Sequence, residues 1–156
     1  MLTWNQVCGE FYCDGSWRDI YVLDTRIEHW QQALDALRRA YPQLAYTRAG
    51  MDSLLPTDAT EAFPDPGFAD CFLKIDLGGP TLNCHFFTDE EIEFDLNPRE
   101  VENQQDFEKV IQFMRLLANA TQRDTIVTPE NQNDIIIFRV RPNNQSVEHK
   151  PFGGYQ

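Results

Sequence analysis

His85 is the residue whose surroundings in this chain best suit proton-transfer chemistry. If Gly78-Gly79 closes a tight hairpin, side-chain alternation places His85 between Phe72 and Glu93 on one face of a sheet. A carboxylate beside an imidazole favours its charged form and turns it towards acid–base work. General acid–base catalysis also needs a positioned reactant or second base, and the spacing sets none beside His85. Adjacent Cys84 points to the opposite face of a strand, so the two form no thiolate–imidazole pair. His85 is therefore a candidate catalytic residue without a completed catalytic group.

The second grouping is acidic: Asp89, Glu90, Glu91, Glu93 and Asp95. Calcium loops of the helix-loop-helix kind need alternating oxygen ligands, a central glycine and a terminal glutamate. The glycine is missing here, and alternate carboxylates along a strand form a flat row and not a cage. The expectation is no metal and no cofactor. A row of carboxylates beside Phe87 and Phe72 suits recognition of a basic protein, because buried aromatic anchors carry affinity and opposite charge steers approach.

Other signatures are missing. The chain has no Gly-rich phosphate loop, no Gly-x-Ser-x-Gly elbow and no His-Glu-x-x-His pair. Cys8, Cys13, Cys71 and Cys84 lack the paired short spacing of a zinc site and read as small buried thiols.

These residues need a sheet to position them. Asp70 to Leu77 alternates, with Cys71, Leu73, Ile75 and Leu77 on one face. A Gly78-Gly79 loop pairs Leu77 with Pro80, so Ile75 faces Leu82, Leu73 faces Cys84 and Cys71 faces Phe86. A three-residue turn at Thr88-Asp89-Glu90 then sets Phe86 opposite Ile92, Cys84 opposite Phe94 and Leu82 opposite Leu96. Two independent turns thus yield one continuous apolar face. The other face carries the rows Asp70–Phe87–Glu91, Phe72–His85–Glu93 and Lys74–Asn83–Asp95, and looks towards water or a partner.

Around this meander, Gly9–Cys13 and Trp17–Leu23 read as a hairpin joined at Asp14-Gly15-Ser16. Thr25 and Glu28 form a capping box for a helix with the stripe Ile27, Trp30, Leu34, Leu37 and Tyr41, stopped by Pro42. Leu44–Arg48 reads as a short strand. Residues 49–69 form a long loop with a helical turn at Met51–Leu55, held down by Phe63 and Phe68. A second helix from about Asn103 to Gln122 has the stripe Phe107, Val110, Ile111, Met114, Leu117 and Ala118, widened by Phe113 and Leu116. Strands follow at Asp124–Thr128 and Asp134–Val140. The expected fold is α+β: a mainly antiparallel sheet with two long helices packed on one face, in two layers. Residues 1–142 form the domain and 143–156 a flexible tail.

The 156 residues carry a net charge of −12. Between Met51 and Glu102, 13 acidic residues oppose Lys74 and Arg99, a net of −11. That field repels nucleic-acid backbone and anionic membrane and steers basic partners. No apolar run is long enough to span a bilayer, and the N-terminus lacks a signal-peptide pattern, so the expected location is cytoplasmic.

The segment Asp14–Leu23 with Trp30, and the late helix running into Thr125–Asn131, resemble small bacterial α+β proteins. In size, acidity and plan, the chain resembles immunity proteins, which neutralise toxins. The resemblance implies a non-enzymatic cytoplasmic binding protein with a basic protein partner such as a toxin domain. The alternatives are a small enzyme or ligand-binding domain using His85 and Glu93 with 49–69 as a lid, and an adaptor or homodimer subunit.

Overall fold

The computed structural model describes residues 1–12, 14–67 and 70–152. The chain is α+β, built on one nine-stranded sheet whose pairings are all antiparallel. In chain order the elements are α1 (Trp4–Val7), β1 (Arg18–Leu23), α2 (Ile27–Ala40), β2 (Ala45–Arg48), β3 (Met51–Ser53), α3 (Ala59–Ala62), β4 (Cys71–Asp76), β5 (Thr81–His85), β6 (Glu91–Leu96), α4 (Gln104–Thr121), β7 (Thr125–Pro129), β8 (Phe138–Val140) and β9 (Val147–His149). The spatial order is β3-β2-β4-β5-β6-β1-β7-β8-β9.

The meander β4-β5-β6 forms in the expected register. Leu73 faces Cys84, Ile75 faces Leu82, Cys84 faces Phe94 and Leu82 faces Leu96. Leu77 N–H donates to Pro80 O at 2.9 Å, and both loop glycines have positive φ, 84° at Gly78 and 150° at Gly79. A Cβ at Gly79 would lie 2.6 Å from Asp106 Oδ1, so the Asp106 carboxylate would have to shift. The first turns of α4 clasp this hairpin, with Lys109 Nζ donating to Gly78 O at 2.6 Å. The apolar face of the meander meets the helices through aromatic pairs. Trp30 of α2 lies 5.2 Å from Phe86, and Phe113 of α4 lies 4.9 Å from Phe94. Trp30, Leu34 and Leu37 of α2 join the stripe of α4 and the inward strand residues in one buried cluster.

Several expectations are corrected. The expected strand at Gly9–Cys13 is not formed over its described residues, 9–12. Residues Trp4–Val7 form a helical turn that continues as a 3-10 turn over Cys8–Phe11. This helical geometry puts Val7 and Phe11, four apart, on one side, both buried. The β1 strand pairs instead with β6 and β7. Thr25 does not box with Glu28. Its hydroxyl donates to Asp89 O at 2.6 Å, and His29 Nδ1 accepts from Arg26 N–H at the helix start.

Residues 51–53 form an edge strand and not a helical turn. The segment after it is bonded down, as Arg38 donates to the carbonyls of Leu55 and Pro56, and Tyr46 Oη to Ala62 O at 2.7 Å. Phe63 packs on Trp30 and Phe86. Phe68 and Cys13 lie outside the described residues. Cys71 and Cys84 are buried as expected, but Cys8 is exposed.

The Asp134–Val140 strand is confined to Phe138–Val140. Beyond Pro142, where a tail was expected, β9 pairs with β8. Buried Glu10 holds this end in place. Its carboxylate lies 3.2 Å from His149 Nε2 and accepts from Phe152 N–H, while the His149 ring stacks on Phe138 at 4.8 Å. No helix among the described residues is long and apolar enough to cross a membrane.

Candidate binding face and its acidic cluster

The face of β4, β5 and β6 opposite Phe86 and Phe94 carries the expected residues. Phe72 and His85 meet edge-on at 5.1 Å, and His85 and Phe87 stack at 5.1 Å with planes 6° apart. Phe87 ends this row 69% exposed. Asp89 and Glu90 are exposed in the β5–β6 turn, and Glu91, Glu93 and Asp95 stand half-buried along β6. The turn is fixed from behind, because Thr25 bonds the carbonyls of both Asp89 and Glu90.

His85 does not pair with Glu93 as the row suggested. Its Nε2 lies 3.5 Å from Asp95 Oδ2, a diagonal neighbour, while Asn83 Nδ2 donates to Asp95 Oδ1 at 2.8 Å. The reason is that Glu93 is engaged elsewhere. In the β1–β6 ladder, Tyr21 stands opposite Glu93 and Asp19 opposite Asp95. The Tyr21 hydroxyl lies 3.2 Å from Glu93 Oε1 and 3.3 Å from Asp19 Oδ2. Asp19 Oδ2 also accepts from Asn131 N–H at 2.8 Å, so the connection after β7 reaches this end of the face. Asp19 is 3% and Tyr21 5% exposed. The face is therefore half-open over β5 and β6 and closed over β1.

One hydroxyl proton sits between two carboxylates. With both ionised, Tyr21 satisfies only one, and the other faces a lone pair. Burial first, and then the Asp19 charge, push Glu93 up to about 6. Burial likewise raises Asp19, against the lowering pull of the Asn131 and Tyr21 hydrogen bonds. Burial and both carboxylates drive the Tyr21 phenol well above its ordinary value. Chemically, the cluster exchanges a proton near pH 6.

The stability consequence has a definite sign. A carboxyl raised from 4.5 to about 6 on folding binds its proton more tightly in the native state. Stability should thus rise as pH falls from 7 towards 5, the opposite of the ion-paired carboxylate case. Glu93→Gln removes the buried charge and retains an oxygen for the Tyr21 proton. It should stabilise the fold at pH 7.5 by about 1 kcal/mol, after allowance for solvent screening. It should also flatten the dependence between pH 4.5 and 6. Urea unfolding across pH checks this, and a loss of stability at pH 7.5 would refute it.

Asp19 and Tyr21 were not anticipated as members of this site. Their alternation in Trp17–Leu23 was readable, but nothing local announced that β1 lies beside β6. Within the 49–69 segment, Phe63 contacts Phe86 on the face of β5 opposite His85. Among the described residues, no three His, Cys, Asp or Glu side chains are arranged to hold a metal ion. Compared with known proteins, the chain matches no protein-family model, no curated protein and no solved structure.

Proposed function

We propose that this protein binds a basic protein partner through the acidic, aromatic-edged face of β5 and β6, in the manner of immunity proteins that neutralise toxins. The observation that carries the reading is Phe87, a large aromatic side chain 69% exposed at the edge of the carboxylates of Asp89, Glu90, Glu91 and Asp95. An exposed ring that gains burial on docking supplies an anchor, and the surrounding charge raises the encounter rate and selects a basic surface. Phe72 and His85 back this ring, so it is held rather than free to collapse.

In this reading α2 and α4 cover one face of the sheet as a second layer and leave the other to the partner. The contacts Trp30–Phe86 and Phe113–Phe94 support that division. Glu93 belongs to the buried cluster more than to the docking surface, so the contact carboxylates are Asp89, Glu90, Glu91 and Asp95.

The test screens the products of the neighbouring genes for a basic partner and follows its binding by surface plasmon resonance at several salt concentrations. Association should slow as salt rises. Glu90→Lys with Glu91→Lys should weaken binding about 100-fold or more, chiefly through slower association. Phe87→Ala should act on dissociation and cost about tenfold or more. Unchanged affinity in both variants overturns the proposal.

A further inference from the structure

A cleft of about 350 Å³ opens where the end of β1, the α4–β7 connection and β8 meet. That volume lies at the small end of ligand-binding pockets. Its apolar wall is Leu23, Ile126 and Ile136.

Most of its polar groups are already engaged. Arg139 Nη1 donates to Asp124 Oδ2 at 2.7 Å, and its Nε lies 3.5 Å from Glu148. The Gln122 side chain donates to Asn119 O and accepts from Asn143 Nδ2. Two groups are left over. Arg123 spends only its Nε, which donates to Leu23 O at 2.9 Å and fixes the direction of the guanidinium. Among the described residues, its terminal nitrogens have no hydrogen-bond or ion-pair partner, and neither does the carboxylate of Asp24. The two do not pair with each other, although both line the cleft. The C-terminus of α4 ends at Gln122 in the same wall and adds partial negative charge.

The cleft thus presents one unmatched cation, one unmatched anion and an aliphatic wall. We propose that it is a binding site for an aliphatic α-amino acid. The guanidinium takes the carboxylate in its forked geometry. Asp24 and the α4 terminus take the ammonium, and Leu23, Ile126 and Ile136 take the side chain. A molecule with only one of the two charges leaves one pole unanswered. This inference stands apart from the proposed docking face, which shares none of these residues.

The experiment is an NMR titration of the full chain with L-leucine. Two further probes are 4-methylpentanoate, which lacks the ammonium, and 3-methylbutylamine, which lacks the carboxylate. The expected result is a saturable shift of the Ile126 and Ile136 methyl signals, with leucine bound about tenfold or more tightly than either analogue. Asp24→Asn should abolish the preference for leucine over 4-methylpentanoate. Arg123→Gln should abolish the preference over the amine. Because Arg123→Gln also removes the Leu23 bond, Asp24→Asn is the cleaner variant: the Asp24 carboxylate has no partner to lose. Absence of a saturable shift, equal response to all three probes, or leucine selectivity surviving both substitutions overturns the proposal.

Discussion

Replacing Trp30 by alanine is expected to cost about 3–5 kcal/mol, a large share of the stability typical of a domain this size. Trp30 is 1% exposed and joins three parts of the fold. Its own helix is α2. Its ring lies 5.2 Å from Phe86 on the sheet and 4.9 Å from Phe63, the anchor of the segment following β3. Truncation opens a cavity lined by two rings that cannot collapse into it, since Phe86 is fixed by β5 and Phe63 by the bonded segment around it. Trp30→Phe should behave differently. Among the described residues the buried indole Nε1 has no hydrogen-bond partner, so the native side chain bears an unanswered donor there. Phenylalanine removes that donor and leaves a smaller void, and the two changes oppose one another. The expected loss is about 1 kcal/mol or less. Urea denaturation of both variants checks the pair. A loss well above about 1 kcal/mol in Trp30→Phe would mean that the indole N–H is satisfied in solution.

What could be read from the sequence was what local chemistry determines. Gly78-Gly79 needs positive φ at both positions, and the residues on either side alternate, so the register of β4, β5 and β6 followed without knowledge of the rest of the sheet. The two longest helices were legible because Phe107, Val110, Ile111 and Met114, or Trp30, Leu34 and Leu37, repeat at helical spacing. Pairing between distant segments leaves no such trace. Nothing near Arg18–Leu23 says that this strand is inserted between β6 and β7, and so the Asp19–Tyr21–Glu93 cluster was hidden while its three residues were in plain view. The Asp14-Gly15 signal was real but misread. Asp14 Oδ1 accepts from Ser16 N–H, a local turn that leads out of a 3-10 segment and not out of a strand. Strands of three residues, such as β3 and β9, are too short for alternation to register.

Arg18 explains why the N-terminal segment is part of the fold at all, and its removal should have the other large effect. On β1 it shares a face with Ile20 and Val22 and is 1% exposed, an arginine at a core position. The 3-10 turn over Cys8–Phe11 ends there, with carbonyls that no following turn of helix satisfies. The guanidinium supplies the missing donors. Nε donates to Glu10 O at 3.0 Å, Nη1 to Trp17 O at 3.0 Å and Nη2 to Tyr12 O at 3.4 Å. Arg18→Met keeps the aliphatic stem and deletes every donor, stranding the Glu10 carbonyl where its bond is buried and loosening the Trp17 and Tyr12 contacts. Each loss to a charged donor is worth about 1.5–3 kcal/mol, and the set is not additive. A total near 3–5 kcal/mol is expected. The damage should also be local before it is global. Val7 and Phe11 insert beside Phe107 and Phe138, and Glu10 in turn holds His149 and Phe152. Release of residues 4–12 therefore loosens β9 at the far edge of the sheet. Hydrogen exchange should accelerate at Phe11 and His149 together in Arg18→Met, while the amides of β4 to β6 keep their protection. Arg18→Lys should recover only part of the loss, because a single ammonium cannot address three diverging carbonyls. Full stability in Arg18→Met, or exchange that rises at Phe11 but not at His149, would show that the guanidinium does not couple the two ends of the chain.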